Sequence, residues 1–154
     1  MESNDSFMPT IDTKIYLDRA QRYCAAAERC PADVRQLLLR LGATDEQADE
    51  VIGKLEQDNY LNEIRYCHAF VHDKVAFQGW GRMKIIMGLR AKRLPDVTIN
   101  EAIQDIDRTA YAANIRKLIR SKHGQDKQKV MRFLLQRGYT FDDLSQYADY
   151  ETDD

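Results

Sequence analysis

DVRQLLLRLGATDEQADEVI, residues 33–52, carries an apolar stripe on each side of a single glycine. Gly42 suits the left-handed residue that often ends a helix. Thr44 followed by Gln47 forms a capping box, which marks the start of the next helix. The stretch therefore predicts a helix, a glycine turn and a second helix. The apolar residues before the turn have the i, i+3, i+4 and i+7 spacing of one helix face: Val34, Leu37, Leu38 and Leu41.

The same pattern recurs twice further along the chain. Two later stretches align with the first without a gap: KIIMGLRAKRLPDVTINEAI, residues 84–103, and KVMRFLLQRGYTFDDLSQYA, residues 129–148. Gly42 is then in register with Arg93, 51 residues later, and with Gly138, a further 45 residues on. A recurrence at this period is typical of helical repeats, which stack because one unit alone has too small a core.

The second copy departs from the pattern at its turn. Arg93 stands where the other two copies have glycine, and Pro95 stands where Thr44 caps the first copy. Either Arg93 adopts the left-handed conformation at an energetic cost, or the turn is reshaped around Pro95. The residues alone leave both possibilities open.

A further amphipathic segment precedes each copy, at residues 15–27, 63–77 and 111–122. Each repeat then contains three helices, and strand signals are essentially absent. We predict an all-α fold of three tandem three-helix repeats. The boundaries we place are a flexible N-terminal segment at 1–13, repeats at 14–61, 62–107 and 108–150, and an acidic tail at 151–154.

Composition argues against export and membrane insertion. No apolar run approaches the roughly 20 residues that cross a bilayer, and the polar N-terminus lacks the basic start and apolar core of a signal peptide. Cys24, Cys30 and Cys67 show no CxxC spacing, which favours reduced thiols. We therefore expect a cytoplasmic protein without membrane contact. We expect a monomer, because the packed repeats leave no long apolar seam uncovered.

The net charge of −2 conceals an uneven distribution. Residues 33–63 carry eight acids and three bases, residues 74–95 carry six bases and no acid, and residues 108–139 carry nine bases around Asp126. Exposed helices usually mix signs for i,i+4 pairing, so segments of one sign indicate contact with phosphates or an acidic protein surface. The candidate contact residues are Arg82, Lys84, Arg90, Lys92, Arg93, Arg116, Lys117, Arg120, Lys122, Lys127, Lys129 and Arg132.

Gly79-Trp80-Gly81 separates two of the predicted helices. It lacks the Lys-Ser or Lys-Thr of a phosphate-binding loop, and it follows a helix where such a loop follows a strand. We interpret it as a connector in which the glycines free the backbone and Trp80 packs between repeats. The alternative is an exposed Trp80 that contacts a partner or a base.

Residues for catalysis or metal binding are incomplete. His68 and His72 have the i, i+4 spacing of metal ligands, but no third ligand converges on them in the sequence. No nucleophile stands in a recognisable motif, and no glycine-rich loop follows a strand. We expect no cofactor, no metal and no enzymatic activity.

Residues 60–94, YLNEIRYCHAFVHDKVAFQGWGRMKIIMGLRAKRL, resemble the RecX family of bacterial modulators of the RecA recombinase. The chain departs from the family at Asn62, where Asp is commoner, and at Arg93, where Gly is usual. Asn caps a helix as well as Asp does. The residues that carry the resemblance are Leu61, Asn62, Glu63, Arg65, Tyr66, Phe70, Val71, Gly81, Ile85 and Leu89.

The resemblance implies an elongated, curved, all-helical molecule that lodges in the groove of the RecA–DNA filament. Members of the family typically inhibit the ATPase, strand-exchange and coprotease activities of RecA, which places them in DNA repair, homologous recombination and the SOS response. Our leading hypothesis is such a regulator, which meets single- or double-stranded DNA weakly or through RecA. The rivals are a stand-alone nucleic-acid-binding helical repeat protein, a scaffold, and a metalloenzyme built on His68 and His72.

Overall fold

The computed structural model describes residues 9–147, and these residues form helices and turns without a strand. The all-α prediction is confirmed. None of the helices in this range has the length and apolarity that a membrane span needs. The helices are α1 Ile11–Ala26, α2 Pro31–Arg40, α3 Asp45–Gln57, α4 Glu63–Asp73 with a π-helical turn Lys74–Gln78, α5 Arg82–Ala91, α6 Asp96–Gln104, α7 Arg108–Ser121, α8 Lys127–Gln136 and α9 Phe141–Tyr147.

The described residues reach into the predicted N-terminal segment at 1–13 but stop before the predicted acidic tail. The helix α1 begins at Ile11, three residues before the predicted start of the first repeat, because Thr10 caps it through a 3.2 Å hydrogen bond from the backbone N–H of Thr13. The acidic tail at 151–154 lies outside the described residues.

The chain divides within α4 into two compact units, one up to Tyr66 and one from Cys67. In the first unit, α2 packs against α1 and α3. Its core contains Ala20 of α1 and most of the two predicted stripes: Val34, Leu38, Ala48, Val51, Ile52 and Leu55. Leu37 is half-buried, and Leu41, predicted on the first stripe, is 37% exposed at the end of α2.

The turn between α2 and α3 has the predicted form. Gly42 has a φ of +101°, and the N–H of Ala43 bonds the carbonyl of Leu38 over 2.9 Å, which is the long bond of a Schellman motif. Both bonds of the capping box are present, from Thr44 N–H to Gln47 Oε1 at 2.9 Å and from Gln47 N–H to Thr44 Oγ1 at 3.1 Å. The local signals that predict the end of α2 and the start of α3 are therefore both present in the structure.

Arg93 adopts the left-handed conformation, with a φ of +63°. The N–H of Leu94 bonds the carbonyl of Leu89 over 3.3 Å, as in the first turn, and Pro95 then starts α6 from an extended conformation. The turn thus keeps its geometry although glycine is replaced. This settles the alternative that the sequence leaves open at the second copy.

In the second unit, the Gly79–Gly81 connector joins the π-helical turn to α5. Gly79 ends the turn with a φ of +65°. The N–H of Gly81 donates to the carbonyl of Arg137 over 2.8 Å, and a Cβ on Gly81 would lie 2.2 Å from the carbonyl carbon of Gly138. Only glycine permits this backbone contact between the connector and the turn after α8.

Candidate interaction surface

Arg82, the first residue of α5, is bound inside the second unit. Its Nη2 donates to Asp143, which is fully buried in the first turn of α9. Tyr111 Oη donates to the other carboxylate oxygen over 2.9 Å and accepts from the N–H of Arg82 over 2.9 Å. Burial opposes the charge on Arg82, but the hydrogen bond and negative charge of Asp143 raise its pKa. Arg82 therefore joins α5 to α9, and only part of its guanidinium faces solvent.

Trp80 is half-buried. Its ring meets Phe70 edge-on with the centroids 6.2 Å apart, and the Nζ atoms of Lys74 and Lys84 lie 4.7 and 4.5 Å from its centroid. These are cation–π distances. Trp80 also lines a cleft of about 420 Å³ together with Met83, Met87 and Leu135. The ring thus packs within the second unit and still borders an open surface.

The other predicted contact residues of α5 lie towards opposite ends of this ten-residue helix. Lys84 is in the first turn, whereas Arg90 is in the last and pairs with Asp96 over 3.0 Å. Lys92 and the exposed Arg93 follow in the turn. Because ten helical residues span about 15 Å, the structure does not gather these cations into one cluster.

The second predicted set lies along α7 and the start of α8 and includes the turn between them. Lys122 in this turn places Nζ 4.3 Å from the ring centroid of Phe133. The side chains are exposed or half-buried: Arg116, Lys117, Arg120, Lys122, Lys127, Lys129 and Arg132. This continuous segment is the main candidate surface for a negatively charged partner, because Asp126 is its one acid.

Lys127 and Lys129 occupy the first turn of α8, where the helix dipole disfavours cations. Asp126 caps this helix by accepting the N–H of Gln128 over 3.3 Å and offsets part of the unfavourable charge. The helix dipole therefore does not favour lysines at these two positions.

Two further residues of this unit escape sequence reasoning. Phe77 is 74% exposed, and Arg137 donates through Nη2 to the carbonyl of Gln78 over 2.9 Å. Nothing in the local sequence pattern predicts that Phe77 is exposed. The pattern predicts one amphipathic helix over residues 63–77, whereas the structure has a π-helical turn at Lys74–Gln78. Arg137 is in the basic segment 108–139, but its role depends on a contact 59 residues away.

Asn62 and Arg65, both in the stretch that carries the family resemblance, stabilise the first unit. Asn62 Oδ1 accepts the N–H of Arg65 over 2.9 Å and so caps α4, as expected for Asn in place of Asp. The guanidinium of Arg65 bonds Glu28 over 2.6 Å and the carbonyls of Asn59 and Tyr60. These residues hold the start of α4.

His68 and His72 differ in their surroundings. His68 Nδ1 lies 3.6 Å from Asp105 Oδ2, and the His72 ring meets Phe77 edge-on with the centroids 6.3 Å apart. Within the described residues, no three His, Cys, Asp or Glu side chains converge as metal ligands.

Comparison with known proteins shows which family the chain belongs to. Residues 62–103, from the start of α4 through most of α6, match the family model described as RecX, second three-helix domain. Regulatory protein RecX from Vibrio parahaemolyticus is 30% identical over 128 residues, which cover 79% of this chain and 82% of that protein. The chain belongs to the RecX family.

Other RecX proteins match over nearly the whole chain. Regulatory protein RecX from Prosthecochloris aestuarii is 27% identical over 146 residues, which cover 92% of this chain and 97% of that one. A crystal structure of regulatory protein RecX superposes with a TM-score of 0.79 over 90% of this chain and 73% of the other, at 19% identity. RecX from Lactobacillus salivarius gives a TM-score of 0.76 over 90% and 96%, at 18% identity. The two structures share the fold.

Proposed function

We propose that this protein is a non-enzymatic regulator that binds the RecA–DNA filament and inhibits or modulates its ATPase, strand-exchange and coprotease activities. Membership of a family of regulatory proteins supports this proposal. The structural observation that carries it is the basic segment along α7 and α8, where lysines occupy a helix start that disfavours them. We place the protein in the cytoplasm as a monomer.

The proposed mechanism uses two contacts of opposite charge. The basic side chains of α7 and α8 approach the DNA phosphates of the filament, where they bind independently of base sequence. Exposed acids of α3, such as Glu46 and Glu50, contact RecA itself. A molecule bound in both ways hinders subunit exchange and the motions that accompany ATP hydrolysis. The inhibition requires no chemistry by this chain.

RecA's single-stranded-DNA-dependent ATP hydrolysis, titrated with this protein at fixed salt, tests the proposal. We expect hydrolysis to fall as the protein is added. Inhibition at well below one molecule per RecA subunit favours capping of filament ends, whereas inhibition near equivalence favours coating of the groove. Unchanged hydrolysis at excess protein and low salt contradicts the proposal.

A second candidate is a stand-alone nucleic-acid-binding protein. Lys127 and Lys129 favour it, because phosphate contact explains them without RecA. A mobility-shift series over increasing salt, on single- and double-stranded DNA without RecA, separates the two. Tight binding that persists at physiological salt favours the stand-alone protein, and weak binding favours the filament regulator.

A further inference from the structure

Phe77 is the most exposed aromatic side chain among the described residues, at 74%. It lies in the π-helical turn Lys74–Gln78. In a continuous α-helix Phe77 would share a face with Phe70, seven residues earlier, which packs against Trp80. A π turn shifts the residues that follow it around the helix axis, and such turns are frequent at functional sites. The winding of the helix thus takes Phe77 away from this packing, and the ring stays 74% exposed with only the edge-on contact to His72 among the ring pairs of the described residues.

The backbone that carries Phe77 is anchored on both sides. Asn114 Nδ2 donates to the carbonyl of Val75 over 2.8 Å, and Arg137 Nη2 donates to the carbonyl of Gln78 over 2.9 Å. These side chains come from α7 and from the residue after α8. The ring of Phe77 is therefore exposed although its backbone is held in place, and its exposure does not result from fraying of the helix end.

Phe77 borders a cleft of about 240 Å³ whose charged lining residues are Lys117 and Arg137. Lys117 is exposed and forms no hydrogen bond or ion pair within the described part of the chain. Leu118 adds an apolar wall, and none of the lining residues is acidic. The cleft thus combines an accessible aromatic ring with an uncommitted ammonium group.

We infer that Phe77 stacks on a base of single-stranded nucleic acid while Lys117 contacts an adjacent phosphate. Stacking on an aromatic ring beside a cation is the recurring way in which proteins bind single strands. Duplex DNA keeps its base faces inside the stack, so its phosphates can contact Lys117 but its bases cannot stack on Phe77. An apolar protein segment can pack on Phe77 but has no negative charge for the cations. The contact deepens the proposed function, since it makes the DNA strand of the filament a direct ligand.

Fluorescence anisotropy of a labelled thymidine oligonucleotide, measured at low salt without RecA, tests the inference. We expect Phe77→Ala to weaken binding about 5-fold or more, the effect of losing one stacked base. Phe77→Tyr keeps a stacking ring and retains the affinity. Phe141→Ala is the matched control, because Phe141 is a 66% exposed phenylalanine in the same unit, outside the cleft, and its loss leaves binding unchanged.

Two further readouts separate stacking from charge. An oligonucleotide of abasic sites keeps the phosphates, so wild type and Phe77→Ala bind it equally. An oligonucleotide with 2-aminopurine is quenched by wild type but not by Phe77→Ala. Lys117→Gln reduces the slope of log affinity against log salt by about 0.7, the value for one phosphate contact on a single strand. Phe77→Ala leaves that slope unchanged.

The inference is overturned if Phe77→Ala binds the thymidine oligonucleotide as wild type does, if it loses affinity equally for abasic strands, or if wild type neither binds nor quenches. Normal DNA binding by Phe77→Ala together with weaker inhibition of RecA assigns the ring to a protein contact and leaves the proposed function standing. If DNA binding depends on Phe77 but the protein has no effect on RecA, the inference is confirmed and the proposed function is contradicted. Circular dichroism confirms that each variant is folded.

Discussion

Asp143 is a buried carboxylate with partners from three parts of the second unit. It accepts hydrogen bonds from Arg82 and Tyr111, and the N–H of Thr140 donates to it over 3.0 Å. Its own N–H donates to Thr140 Oγ1 over 3.0 Å, so the pair forms the capping box of α9. One side chain thus caps a helix and neutralises the arginine at the start of another.

Asp143→Ala removes this carboxylate and leaves Arg82 and Tyr111 without their acceptor. We expect the second unit to lose about 3 kcal/mol of unfolding free energy, because removing one member of a buried ion pair leaves the remaining polar groups without a hydrogen-bond partner. The estimate is at the lower end of the range since the side chain of Arg82 is 41% exposed. Urea unfolding measures the change. Asp142→Ala is the control, since Asp142 is exposed in the same helix turn, and an equal loss in both variants contradicts the account.

Arg93 is a non-glycine residue in the left-handed region, where steric contact of Cβ costs about 1–2 kcal/mol. We expect Arg93→Gly to raise the unfolding free energy by about 1 kcal/mol, reduced by the greater freedom of glycine in the unfolded chain. Thermal unfolding measures the gain. The reverse change, Gly42→Arg at the equivalent turn, is expected to destabilise. A loss of stability in Arg93→Gly means that the arginine makes contacts that outweigh its backbone cost.

At the scale of elements, the turn after α8 and the start of α5 are held by a backbone contact. The N–H of Gly81 bonds the carbonyl of Arg137 over 2.8 Å, and the N–H of Met83 bonds the carbonyl of Gly138 over 2.9 Å. Tyr139, buried just after this turn, donates through Oη to the carbonyl of Gly79 over 2.7 Å. Burial raises the pKa of Tyr139 to about 12, so its hydroxyl stays a donor well into the alkaline range.

Gly81→Ala places a Cβ 2.2 Å from the carbonyl carbon of Gly138, against backbone atoms that cannot rotate away. We expect it to destabilise the second unit by about 3 kcal/mol, the upper part of the range for overpacking. Gly53→Ala is the matched control. Gly53 lies within α3, and no atom lies within 4 Å of the position that a Cβ would take there, so alanine is expected to stabilise by about 0.5–1 kcal/mol. Calorimetry of both variants checks the contrast, and tolerance of Gly81→Ala refutes the close contact.

At the scale of the whole molecule, charge is divided along the chain. Residues 33–63 are acidic and residues 108–139 are basic, although the net charge is only −2. Such a distribution has no bearing on which fold forms, but it determines which surfaces an anionic filament attracts. The proposed function therefore depends on where the cations lie and not on their number.

The double reversal Lys117→Glu with Arg120→Glu places acids on the basic surface of α7. We expect inhibition of RecA's ATPase to weaken at least about 10-fold, because each reversal replaces an attraction to phosphate with a repulsion. Lys14→Glu with Arg19→Glu is the control, since these exposed residues of α1 give the same change in net charge outside the basic segment. Titrations at fixed salt compare the two. Equal weakening would mean that overall charge, not this surface, governs binding.

Most of the local structure could be predicted from the sequence because it depends on residues close together in the chain. The stripe around Val34 and Leu38 is buried, Gly42 ends α2, and the Thr44–Gln47 capping box starts α3. Side-chain spacing and hydrogen bonds over three or four residues dictate these features. The recurrence of the same local pattern and the family resemblance together predict the all-α fold class.

The features that the sequence does not predict depend on contacts between residues far apart in the chain. The basic pattern around Arg82 predicts a cation for an outside partner, yet a buried carboxylate 61 residues later pairs with it and leaves its side chain 41% exposed. Residues 63–77 predict a continuous amphipathic helix, yet the π-helical turn, anchored from α7 and the residue after α8, exposes Phe77. The end of α2 at Gly42 and the start of α3 after Thr44 are predictable from the sequence, because those signals are local. Which polar and aromatic groups remain available to a partner was decided by tertiary packing, since distant residues compete for the same groups.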